Sequence, residues 1–531
     1  MLQTAWGTRG MVTAPHALAA QAGLNILRQG GNAIEAMVAA ASTIAVVYPH
    51  MNSIGGDGFW VILPPNAKPL AISACGAAAS FATINAYRAH GMDAIPTRGP
   101  WAANTVAGTV GGWQAALEVA QQLGGTKSLA ELLAEAIRYA EDGIPVTPSQ
   151  AMLTAKKLGE LQGLPGFDET FLPGGAVPRV GQRFVQPRLA TTLKRLVSDG
   201  LDSFYRGSLA ADIVADLRAL GSPVSAEDLA GYRAEVVTPL HLAHGSGDLY
   251  NMTLPTQGAV SLAILGIAER TGLAAVAPDS ADHVHLLVES TKQAFHLRDQ
   301  YVTDPRECPI APQSLLDGAR LDALAARIRM DRAAPWGAGR GPADTIWMGA
   351  IDDSGLAVSF IQSIYHEYGS GCVLHATGIN WQNRGASFSL DPQTLLALKP
   401  GKKPFHTLNP AAARLKDGRV MVYGTMGGDG QPQTQAAVFT RHVVFGQPLQ
   451  QAVTAPRWLL GRTWGQTSDT LKLEARFPKD LVEALRARGH EVELLPDFDE
   501  TVGHAGAVVR HPDGFFEGAT DPRSNGGVAA Y

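Results

Sequence analysis

A layered α/β or α+β fold, with both halves of the chain feeding one sheet system, is predicted by two features of this sequence. Amphipathic helical segments crowd the chain up to about residue 335, and short alternating strands with turn signals dominate from about residue 345. No internal repeat of fixed period interrupts this order. At 531 residues the chain has room for several domains or for one large α/β fold, so length sets no domain count.

The elements follow in order. A Gly-Gly-Asn turn at 30–32 precedes the Ala-rich run Ala33 to Val47, which reads as a buried helix ending at Pro49, and a glycine turn then leads into the strand FWVIL. ANTVAGTVGGWQAALEVAQQLG and SLAELLAEAIRYAEDG read as further amphipathic helices, and residues 130 to 335 as mostly helical. The linker MDRAAPWGAGRGPAD, rich in Gly, Pro and Ala, separates the halves and has the composition of an exposed segment open to cleavage. Beyond it come TIWMGAI, LAVSFIQS, RVMVYG, AGAVVRH and FFEGAT as strands and KDLVEALRARG as a helix.

Composition excludes several classes. Hydrophobic residues at 46%, charged residues at 17% and a mean hydropathy near zero describe a globular protein rather than a disordered or polytopic one. A net charge of -5 without like-charge runs gives no footprint for nucleic acid. The apolar run at Ala33 carries Glu35 and is too short to span a bilayer of about 30 Å, so no membrane partner is expected. Cys75, Cys308 and Cys372 are odd in number and contain no CxxC, which fits a reducing compartment, and the amino terminus lacks a signal-peptide pattern; a cytoplasmic location is the expectation.

Zinc-protease, nucleophile-elbow and P-loop motifs are missing, and GAGRG at 337–341 follows no strand. His283, His285 and Glu289 in HVHLLVE suggest metal ligands, but residues two apart on a helix point in different directions, so packing is expected instead. In VYGTMGGDGQPQ a strand ends in glycines just before a helix begins, leaving N–H groups for an anion or an oxyanion; a plain tight turn is the competing reading. DDSG at 352–355 predicts a hairpin with Gly355 left-handed, in a register that sets Thr345 opposite Ser363. Two facing hydroxyls after a cleavable loop suit a nucleophile and its support, although such pairs are usually structural.

GGNAIEAMVAAASTIAVVYPHMNSIGGDGF, DTIWMGAIDDSGLAVSFIQSIYHEYGSGCVL, PFHTLNPA, VYGTMGGDGQPQ and GATDPRSNGG together resemble, in order and over nearly the whole chain, the γ-glutamyltransferase family of N-terminal-nucleophile hydrolases. The resemblance implies an α+β fold, a four-layer αββα sandwich, and a precursor that cuts itself between Asp344 and Thr345. A large chain, 1–344, and a small chain, 345–531, would then build one fold, with Thr345 as nucleophile. A free α-amine on the same residue can serve as base for its weakly nucleophilic hydroxyl. The resemblance further implies Ser363 as the supporting hydroxyl, Gly427 and Gly428 as the oxyanion hole, and neither metal nor organic cofactor. Whether two-chain units assemble into a homo-oligomer is left open.

Departures from the family pattern bear on the substrate. The arginine that holds a glutamyl α-carboxylate is replaced by Cys75, the acid that binds the α-amine by Ser387, its neighbour by Arg384, and the two carboxylate-binding serines by His406 and Thr407. With the amino-acid clamp gone, a γ-glutamyl substrate should bind poorly. A small amide carrying its own anion, with Arg384 forked onto its carboxylate, suits the altered pocket better. A γ-glutamyl hydrolase or transferase, a cephalosporin-type acylase and a non-catalytic binding homologue stand as alternatives. Cleavage at 344/345 would divide the 55.9 kDa precursor into chains of roughly 36 and 20 kDa on a denaturing gel. The Thr345→Ala protein should remain one band and be inactive.

Overall fold

The computed structural model describes residues 2–337, 344–461 and 468–531, with Asp344 described by its backbone alone. Two 7-stranded antiparallel sheets lie face to face. The Thr345 sheet runs, in spatial order, Gly527–Ala530, Gly10–Ala14, Asp344–Asp352, Ala357–Tyr365, Asp57–Leu63, Leu70–Ala74 and Glu235–Val237. The glycine sheet runs Ala5–Gly7, Phe516–Thr520, Ala505–Arg510, Val420–Thr425, Ala411–Leu415, Gly247–Asn251 and Leu240–His244. Both draw strands from either side of residue 345, as the sequence predicts.

Alternation along each strand builds three cores. Trp347, Ile351, Phe59, Val61 and Ile361 face Val422 and Val508 of the other sheet. Their neighbours Met348, Phe360, Trp60 and Ile62 face outward onto the helices of the amino-terminal half, while Leu249, Met421, Tyr423 and Ala507 meet the helices Gly258–Arg270, Ala281–Tyr301 and Gly430–Phe439. The layers are therefore helix, sheet, sheet, helix. Trp347 fills the gap between sheets only because Gly349, Gly424 and Gly506 leave it room; a Cβ on Gly424 would lie 2.2 Å from its ring. Its indole nitrogen donates to Ser359 Oγ at 2.9 Å.

The helix Ala33–Val47 is buried along its whole length, and Asn32 and Glu35 close a capping box at its start. Glu35 escapes isolation by accepting hydrogen bonds from Asn32 N and Lys127 N. Asp352, at the hairpin turn, accepts from Ala33 N at 2.8 Å and so ties this helix to the central hairpin. Gly355 takes φ +89, and the predicted register holds from Ile351 opposite Ala357 to Ile346 opposite Gln362.

One expectation needs correction. The ladder breaks before Thr345, and Asp344 pairs with Tyr365, so Thr345 sits at an irregularity rather than in a simple pair with Ser363. The cause is local: Tyr365 adopts φ +82 and turns its N–H onto Ser363 Oγ at 2.8 Å, which curls the strand end out of register. The stretch 130–335 is mostly helical, as expected, and also carries Glu235–Val237 and the hairpin Leu240–His244 with Gly247–Asn251. Its alternating Leu240, Leu242 and Leu249 were the strand signal. The GAGRG reading falls, beyond Gly337, outside the described residues. Gly424→Ala should lower the thermal midpoint by a few degrees, since overpacking of this kind costs about 1 to 3 kcal/mol; a thermal melt of the purified protein checks it.

Candidate active site

Thr345 is fully buried at the start of a central strand, between the sheets. Ser363 on the next strand is paired with Asp57 on the one after, and extending that register by one residue past Ala74 brings Cys75 opposite Asp57. A row of Ser363, Asp57 and Cys75 therefore runs across the end of the Thr345 sheet, on the inward side.

The glycine sheet supplies the opposite wall. Its strand Val420–Thr425 ends in the loop that holds Gly427 at φ +113 and Gly428 at φ +54, conformations that favour glycine. Gly430 N and Gln431 N donate back to the carbonyls of Gly427 and Gly428, so the loop is locked, while the N–H groups of both glycines have no hydrogen-bond partner among the described residues. Asp429 follows, salt-bridged to Arg298 of the long helix at 3.0 Å.

A chain of side-chain hydrogen bonds connects this loop to Thr345. Ser261 donates to Asn409 Oδ1 at 2.6 Å, Asn409 Nδ2 donates to Gln431 Oε1 at 3.1 Å, and Gln431 Nε2 donates to Thr345 Oγ1 at 3.4 Å. Gln257 Nε2 binds both Thr407 O and Gly428 O. Sequence reasoning missed Gln431, Asn409, Gln257 and Ser261. The first two lie within quoted motifs, GDGQPQ and HTLNPA, but an uncharged amide in a turn announces no role until its partners are known.

Arg384 is fully buried at the start of the turn Arg384–Ser387, and its Nε, Nη1 and Nη2 have no hydrogen-bond partner among the described residues. Its guanidinium lies 4.0 Å from the centre of the Tyr365 ring, a cation–π contact that holds the plane without using its donors. Burial pulls its pKa down to about 10, which leaves it charged at neutral pH. Around it, Ser387 Oγ, Thr407 Oγ1 and both nitrogens of His406 are likewise buried without partners. Burial holds His406 well below its ordinary pKa, hence neutral, and pushes the Cys75 thiol up to about 12, hence protonated and a poor nucleophile. Ser387, Thr407 and Tyr365 line a cavity of about 370 Å³ that also touches Phe405 and Asp429. The structure thus brings Arg384, His406 and Cys75 together around Asp57, and Ser387 and Thr407 together on this cavity.

The histidine motif behaves partly as predicted. His283 and His285 diverge, the first toward Thr440 and the second toward His490. His285, Glu289 and His490 do place ligand atoms within 4.8 Å of one another. Those atoms are already engaged: His285 bonds His490 Nε2 and Arg329 O, and Glu289 accepts from Lys292 Nζ and Ala334 N. This cluster fastens the segment 329–334 to the long helix.

Fold and site together define a sandwich hydrolase of the N-terminal-nucleophile class. The family model described as gamma-glutamyltranspeptidase matches residues 19–531, and the chain belongs to that family. It is 62% identical to the oxamate amidohydrolase proenzyme of Klebsiella pneumoniae over 99% of both chains, and 39% identical to a glutathione hydrolase-like proenzyme of Bacillus subtilis over 98% of both. The structure of cephalosporin acylase from Bacillus halodurans superposes with a TM-score of 0.90 at 34% identity, covering 100% of this chain and 97% of that one. Gln431→Ala should lower kcat about tenfold, the worth of one hydrogen bond of about 1.4 kcal/mol, with a smaller effect on KM; steady-state assays of the two proteins decide it.

Proposed function

We propose that this protein is a self-processing amidohydrolase that converts oxamate to oxalate and ammonia. The observation that carries the substrate assignment is the buried, charged Arg384 guanidinium whose donors meet no acceptor among the described residues. A guanidinium removed from water without hydrogen bonds is costly, and an anion forked onto it would relieve that cost. Ser387 stands where an amino-acid substrate would need an acid, so an anion without an ammonium is favoured. The naming of the Klebsiella relative points the same way.

In this reading the precursor is cut between Asp344 and Thr345, and residues 1–344 and 345–531 remain together as large and small chains. The bond lies where the ladder is broken and opposite Tyr365, whose positive φ stores strain beside it. Cleavage exposes the α-amine of Thr345. That amine accepts the hydroxyl proton as Oγ attacks the amide carbonyl, and Gly427 and Gly428 N–H groups stabilise the oxyanion. The proton passes to the departing nitrogen, which leaves as ammonia. Water, deprotonated by the same amine, attacks the acyl ester, releasing oxalate and restoring the threonine. Ser363, which accepts the Tyr365 N–H, supports the nucleophile's strand end, and Arg384, with Ser387, His406 and Thr407 around it, holds the substrate carboxylate. Cys75 backs the pocket as a protonated thiol. Oxamate hydrolysis would serve purine breakdown through allantoin, and the free state of Cys75, Cys308 and Cys372 suits the cytoplasm.

A panel of oxamate, a γ-glutamyl anilide and a glutaryl amide, followed by released ammonia or amine, should give turnover of oxamate alone. Arg384→Ala should lower kcat/KM for oxamate about hundredfold, mainly through KM, because two charge-assisted hydrogen bonds are lost. An unchanged KM would contradict the assignment.

A further inference from the structure

We propose that Asp57 is the charge-balancing residue of the anion pocket, and that docking of a carboxylate on Arg384 is accompanied by uptake of about one proton by Asp57. This rests on the reading of Arg384 as the carboxylate receptor. The geometry isolates Asp57 with that arginine. It is fully buried at the start of the strand Asp57–Leu63, paired across the sheet with Ser363 and so beside the reaction centre. Its Oδ1 accepts from Gly76 N at 3.2 Å and Gly108 N at 3.0 Å, whereas Oδ2 is buried without a hydrogen-bond partner among the described residues and lies 3.4 Å from His406 Nε2.

The groups acting on it arrive from every neighbouring segment. Cys75 comes from the end of the adjacent strand, Arg384 and Gln382 from the turn above, and His406 from the segment before Ala411; Tyr205 and Tyr232 lie behind. Burial keeps the thiol and both phenols protonated and His406 neutral. Lys403, the next cation outward, is paired with Glu235 at 2.9 Å. Arg384 is therefore the charge that Asp57 answers to among the described residues.

Burial lifts Asp57 to a pKa of about 7, although Arg384 pulls the other way. A substrate carboxylate on the guanidinium neutralises that pull and adds a like charge, so the pKa rises further in the complex. Below about pH 7 Asp57 is already protonated, Arg384 is unopposed and binding takes up nothing. Above it, the anion binds only as Asp57 gains a proton, and KM should rise toward tenfold per pH unit.

Asp57→Asn keeps the Oδ1 acceptor for Gly76 and Gly108 and removes the titration. The ratio of oxamate KM in the parent enzyme to KM in Asp57→Asn cancels the titration of the Thr345 amine, which both share. It should be near one at pH 6 and at least tenfold larger at pH 9; a ratio constant within twofold overturns the proposal. Should Asp57→Asn fail to mature, calorimetry of the parent enzyme binding oxalate at pH 8, in two buffers of different ionisation enthalpy, gives the answer. About one proton taken up supports the proposal, and none overturns it. Arg384→Ala separates the two levels: an unchanged KM there removes the carboxylate receptor itself, whereas a large KM effect with a flat Asp57→Asn ratio removes only the proton coupling.

Discussion

A charge taken out of water must be met by something, and the burial of Arg384 imposes that constraint on the whole pocket. Its plane is fixed against Tyr365, and, among the described residues, its donors meet no acceptor and one oxygen of the neighbouring Asp57 accepts no hydrogen bond. In a medium of low polarity such groups are weak contributors to stability, and a buried ion that lacks its partner costs several kcal/mol. A pocket arranged this way is more stable with an anion in it than without. Stability is given up locally there, and the two sheet cores supply the surplus.

The sandwich makes that concession affordable because it separates duties. Thr345, Ser363 and Asp57 lie at the end of one sheet, and Gly427 and Gly428 follow a strand of the other. Trp347, two residues from Thr345, packs through the glycine gaps of both sheets and so fixes their spacing. The Ser261, Asn409, Gln431 relay then spans the remaining distance with hydrogen bonds whose directions are set in turn, each amide oriented by the one before. Precision at the hydroxyl comes from rigid elements on both sides rather than from a loop.

Much of this was legible in the residues. The DDSG turn dictated the hairpin because a three-residue loop with a left-handed glycine allows one register, and the Gly-Gly run announced free N–H groups because a strand met a helix there. The family motifs supplied the layer order. What stayed hidden was whatever depends on contacts distant in sequence. The ladder break at Thr345 comes from the backbone of Tyr365, and the hairpin Leu240–His244 with Gly247–Asn251 was masked by the helices around it. His490 joins His285 across 205 positions of chain. Asp57 stood in plain view in GGDGF, yet nothing in the run tells that it is sealed beside a guanidinium.

The most direct test of the account is a crystal structure of the cleaved enzyme with oxalate bound. The account predicts a small chain beginning at Thr345 and a carboxylate of oxalate forked on Arg384, both oxygens about 3 Å from guanidinium nitrogens. Oxalate bound elsewhere, with Arg384 still without an anion, would contradict it.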